Sequence, residues 1–173
     1  MNKIEELKLA FAKYKYGAGQ LTGCVDWAVE RLVKVEEEDD MDIFLLAGST
    51  NESEIVELVQ DILSRYLDAE TFNEEFCAGQ LLICLYDSYH AKTISIIELE
   101  PIISSMYLKL PLNPDWLAML NRNCEVSIIL QTYKPFEDEF KYITDLWKEA
   151  KTLDDFKKKY DRQISNTHDF DWQ

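Results

Sequence analysis

A chain of 173 residues with 47% hydrophobic and 12% aromatic side chains can bury a full core, which excludes disorder along its whole length. Five glycines and four prolines are too few for the many tight turns of an all-β fold, so helices joined by short loops are expected. A formal net charge of −15 repels phosphate backbones and anionic membrane faces, which disfavours direct nucleic-acid or membrane binding; it is compatible with a basic protein partner or with solubility alone.

In chain order, Ile4, Leu7 and Phe11 recur at helical spacing within residues 3–14. Gly17 and Gly19 break that pattern, and Thr22 is the expected N-cap of a helix over 23–35. Six acids then fall within seven residues: Glu36, Glu37, Glu38, Asp39, Asp40 and Asp42. The run Met41–Ala47 reads as a buried helix ended by Gly48, where glycine allows a left-handed closure. Ser49-x-x-Glu52 and Asn51-x-x-Glu54 both fit a capping pattern, opening a helix whose apolar stripe runs from Ile55 to Leu67.

Residues 72–90 are the most apolar helix candidate, and Gly79 inside them marks a close approach by another helix. Residues 94–99 read as strand or turn, with a helix starting near Glu100 and Pro101 at its first position. A short helix follows over 115–121. Residues 124–133 read as helix or strand, with helix favoured by context. Pro135 opens a long amphipathic helix to about residue 150, with Phe136, Phe140, Ile143 and Trp147 on one side. Thr152-x-x-Asp155 begins the last helix, where Lys157, Lys158 and Lys159 suit a C-terminal dipole, and 164–173 read as a frayed tail. The expectation is an all-α fold, a single multi-helix domain of seven to nine helices.

Chemistry is poorly represented. The four cysteines, Cys24, Cys77, Cys84 and Cys124, form no C-x-x-C pair, and two histidines give a zinc site little support. Phosphate-loop, dinucleotide, zinc-protease and nucleophile-elbow motifs are missing, and the acid run lacks the spacing and glycine of a calcium loop. No metal or other cofactor is expected. The N-terminus is too charged for a signal peptide and no run of 18 apolar residues exists, so a cytoplasmic setting is expected. His90, with Asp87 three residues before it, is the best single candidate for catalysis or ligand binding. His168 is a weaker one.

The acid run differs from the other acid-rich helix starts, because neither capping nor helix pairing needs six acids there. It reads as a solvated connection, with a second use as an electrostatic dock for a Lys/Arg-rich surface. Glu52 and Glu54 would extend that dock, and Tyr14, Tyr16, Trp116, Phe170 and Trp172 are candidate aromatic anchors.

CVDWAVERLV followed by MDIFLLAGSTNESEIVELVQDIL resembles a pattern in small uncharacterised bacterial helical proteins, as does the later GQLLICLYDSYHAKTISIIELEP. The resemblance covers about residues 20–150 and implies fold alone, since its motifs are packing and turn residues. The chain departs from it where the acid run replaces a glycine-rich turn. Size, acidity and helical form are also similar to immunity proteins of bacterial toxin–immunity pairs, which implies a non-enzymatic protein that neutralises a basic toxin, such as a nuclease, by occluding its active site.

Overall fold

The computed structural model describes residues 3–34, 40–67 and 73–167, the first residue and the last six by backbone alone. Nine helices and no strand occur among these residues, so the all-α expectation holds. Contacts gather the helices into two units, Met1–Phe72 and Asn73–Gln173.

The first unit contains α1 (Lys3–Tyr16), α2 (Thr22–Val33), α3 (Met41–Gly48) and α4 (Glu52–Tyr66). Gly17 takes φ +79° after α1, a left-handed conformation that glycine adopts at little steric cost. Thr22 is the first helical residue of α2 rather than its cap; Leu21 holds the cap position and makes no side-chain capping hydrogen bond. Asn51 caps α4, its side-chain oxygen accepting the Glu54 N–H at 3.2 Å. α2 packs on α1 and α3, and α4 on α3 and α1, around Leu7, Cys24, Ala28, Leu46, Val59, Ile62 and Leu63. Each large aliphatic side chain buried in this way contributes about 1.5–3 kcal/mol.

The expected left-handed closure at Gly48 is not used, because α3 ends where Ser49 turns extended (φ −78°, ψ 140°) and Gly17 is the only positive-φ glycine among the described residues. The expected burial of Met41–Ala47 holds for one face only. Ile43 and Leu46 are buried, whereas Met41, Phe44 and Leu45 are 66%, 63% and 45% exposed.

The second unit contains α5 (Glu74–His90), α6 (Ile96–Lys109), α7 (Asp115–Leu130), α8 (Lys134–Glu149) and α9 (Leu153–Thr167). α5 packs on α8 through the predicted close approach at Gly79: a Cβ there would lie 2.3 Å from Trp147 Cδ2. Trp147 stacks on Phe156 of α9 with ring centroids 3.7 Å apart, and Trp116 of α7 meets both rings edge-on. Phe140 of α8 is fully buried, meeting the Tyr86 ring edge-on and the Phe136 ring at a tilt.

Three elements differ from expectation. α6 begins at Ile96, not near Glu100, because Ser95 and Glu98 form a capping box: the Ser95 N–H donates to Glu98 Oε2 at 2.8 Å and the Glu98 N–H to Ser95 Oγ at 3.4 Å. Pro101 therefore lies inside the helix, where it removes one backbone donor. Residues 115–130 form one continuous helix, ended at Gln131 with φ +53°. In α9, Thr152 Oγ1 accepts the Asp155 N–H at 3.1 Å as expected, but the helix runs to Thr167. Its lysines thus sit mid-helix rather than at a dipole end, and Lys157 pairs with Glu75 at 3.2 Å. Residues 164–167 continue the helix instead of fraying, and 168–173 lie outside the described residues, with His168, Phe170 and Trp172 among them.

Candidate functional site

Of the acid run, Glu36, Glu37, Glu38 and Asp39 lie outside the described residues. Asp40 and Asp42 are described, and both pair within the first unit. Asp40 caps α3, its Oδ1 accepting the Asp42 N–H at 3.0 Å. Its carboxylate also accepts the Tyr66 phenol at 2.6 Å and Arg65 Nη1 at 3.2 Å, both from the end of α4. Burial pushes the Asp40 carboxyl up, but the Tyr66 hydrogen bond, the backbone N–H groups of Asp42 and Ile43 and the Arg65 charge outweigh it, so it stays below its ordinary value. Asp42 joins the same cluster by an ion pair with Arg65.

Glu52 and Glu54 are also engaged within the first unit. The Tyr14 phenol donates to Glu52, and Ser49 Oγ donates to Glu54 Oε2 at 2.8 Å. Two expected aromatic anchors are corrected. Tyr16 is 1% exposed, and Trp116 is 2% exposed among Trp147 and Phe156, with its indole N–H donated to Glu75 at 3.0 Å. A Trp facing two aromatic neighbours and one acceptor is a core residue.

The surface that sequence reasoning missed lies on α2 and α3. On α3, Met41, Phe44, Leu45 and Gly48 are spaced i, i+3, i+4 and i+7, so they share one face, and all four are exposed. On α2, Val29 and Val33 are spaced i, i+4 and are 42% and 76% exposed, with the exposed acids Asp26 and Glu30 beside them. These are the two helices that the acid run joins in the sequence. The available signal was apolarity on both faces of α3. A helix with apolar residues all round is read as buried unless something shows which face meets the core.

The second unit holds a cleft of about 770 Å³ at the end of α5, lined by Tyr86, Tyr89, His90, Glu98, Glu137 and Phe140 among others. His90 is exposed, with its ring 6.0 Å from that of Tyr86. Its expected partner Asp87 is instead paired with Lys148 Nζ at 3.0 Å. The Tyr89 phenol donates to Glu137 at 3.0 Å; burial first, then this carboxylate, pushes its pKa up to about 12. A phenol that donates a proton it will not release is a structural group.

Burial pushes the thiols of Cys24 and Cys124 up to about 12, so neither is an activated nucleophile. Among the described residues no three His, Cys, Asp or Glu side chains gather where a metal ion could bind, and no helix is long and apolar enough to cross a membrane. No family model, curated protein or solved structure matches the chain.

Proposed function

We propose that the protein is a non-enzymatic binding module for a basic protein, most concretely an immunity protein that occludes the active site of a cognate toxin. One observation carries this reading. Exposed apolar faces on α2 and α3 flank, in the sequence, the densest acid run of a chain with net charge −15. Large apolar side chains cost solvation when left in water, and a patch of them with an acidic surround fits a protein surface rich in Lys and Arg.

Each group has a role in this reading. Glu36, Glu37, Glu38 and Asp39 steer the encounter by long-range attraction. Phe44, Met41 and Leu45 are desolvated at contact and slow dissociation. Asp40, with Asp42 and Arg65, positions α3 rather than touching the partner, and Glu52 and Glu54 are at most peripheral. This reading places the protein in a reducing, cytoplasmic setting, which four cysteines without a C-x-x-C pair suit.

The test is capture from the native host's lysate at low and high salt, with wild type beside a variant carrying Glu36→Gln, Glu37→Gln, Glu38→Gln and Asp39→Asn. One stoichiometric basic protein, held by wild type, weakened by salt and by the variant, and toxic to cells unless this protein is co-expressed, is the expected result. No salt-sensitive partner would remove the reading.

The cleft beside His90 favours a second reading, a small-molecule binder or enzyme. Ligand-observed NMR with a metabolite mixture, repeated on His90→Ala, tests it. Binding that the substitution abolishes would support it, and no cleft-dependent binding would dismiss it.

A further inference from the structure

We propose that the outward face of α3 receives a basic amphipathic α-helix of the partner, packed closely against Gly48; this rests on the protein-binding reading and adds the form of what is bound.

Gly48 is the observation that leads there. It is the last residue of α3, it is exposed, and its φ is not positive, so the backbone does not require glycine. A Cβ built on it meets nothing within 4 Å, so internal packing does not require glycine either. With no Cβ, Gly48 projects no side chain from the end of that face. A glycine without an internal reason, on the same face as Met41, Phe44 and Leu45, leaves room for another backbone to come close. Side chains at i, i+3, i+4 and i+7 make the ridge-and-groove surface that a second helix fits.

Charge selects the helix. The exposed acids on the neighbouring α2 are Asp26 and Glu30, the latter paired with Lys34 one turn on, and the sequence joins α2 to α3 through four more. Lys or Arg along the flanks of the incoming helix complements them. The other common way to bind a peptide, adding a strand to a sheet edge, has no template, since no strand exists among the described residues.

The experiment displays two peptide libraries to the full-length protein. One has helices of about 18 residues with apolar positions at i, i+3, i+4 and i+7 and Lys/Arg flanks; the other has the same composition with the pattern scrambled. Selected peptides are then measured on wild type, Phe44→Ser and Gly48→Leu, with circular dichroism and thermal melting as folding controls. The expected result is enrichment of patterned over scrambled peptides. Affinity should drop by about tenfold or more on Phe44→Ser and on Gly48→Leu while both variants stay folded. Equal enrichment of the two libraries, or a folded Gly48→Leu that binds like wild type, overturns the proposal. If the whole basic partner still depends on the acid run while no patterned helix binds, this inference fails and the protein-binding reading stands. If neither binds, both fail.

Discussion

The Tyr66 phenol lies 2.6 Å from Asp40 Oδ2, so the last acid of the run before α3 is spent on holding that helix to the end of α4. The same carboxylate caps α3 and receives Arg65. An acid that reads as part of a docking surface is therefore also the group that holds α3 to the end of α4.

Asp40→Ala removes a cap and a buried charged acceptor together, and should cost about 2–3 kcal/mol of stability by denaturant melting. Asp40→Asn keeps the cap and loses the charge, so it should cost less. The Asp40 carboxyl is lower in the folded state than the unfolded value of 3.8, so its charge-dependent stabilisation is fully present above that value. It is lost as pH falls through the depressed folded value. The stability gap between wild type and Asp40→Asn should thus be constant near neutrality and narrow below the unfolded value. A gap that widens in acid would contradict this assignment.

Gly79→Ala should damage the second unit. The added methyl lies 2.3–2.5 Å from three Trp147 ring atoms, and Trp147 is itself stacked on Phe156. Overpacking of this kind costs about 1–3 kcal/mol or more. Loss of near-ultraviolet circular dichroism with a lowered denaturant midpoint is the expected outcome. Full native stability would mean that the two helices can separate freely at this point.

Thiol modification should be selective. With Cys24 and Cys124 raised to about 12 by burial, neither forms thiolate near neutral pH, whereas Cys84 is only half-buried. Native protein treated with an alkylating reagent should be labelled first at Cys84, with the other sites reacting after unfolding. Peptide mapping by mass spectrometry reads the order. Rapid labelling of Cys24 or Cys124 in the folded protein would reopen a nucleophilic role.

Helix content was largely legible, because amphipathic periodicity and capping residues act locally: Asn51, Thr152 and Pro135 mark starts within a residue of where helices begin. Ser95 and Glu98 carried the same kind of signal, but the isoleucines around them favour strands and hid it. Which face of α3 is buried was not legible, since both are apolar and only packing against α2 and α4 decides. The exposure of Trp116 was misread for the mirror reason: burial of an aromatic depends on distant neighbours, here Trp147 and Phe156. The acid run was visible at once. That Asp40 binds internally required the contacts from Arg65 and Tyr66, some 25 residues further along the chain.

In the proposed binding mode, charge brings a basic partner to the acid run and the outward face of α3 holds it. Its most direct measurement is stopped-flow association and dissociation of the captured partner, across a salt series, with wild type, the acid-neutralised variant and Phe44→Ser. The account predicts that neutralising residues 36–39 slows association and flattens its salt dependence, while Phe44→Ser leaves association nearly unchanged and speeds dissociation. Both rates unchanged in both variants would place the partner elsewhere on the protein and contradict the account.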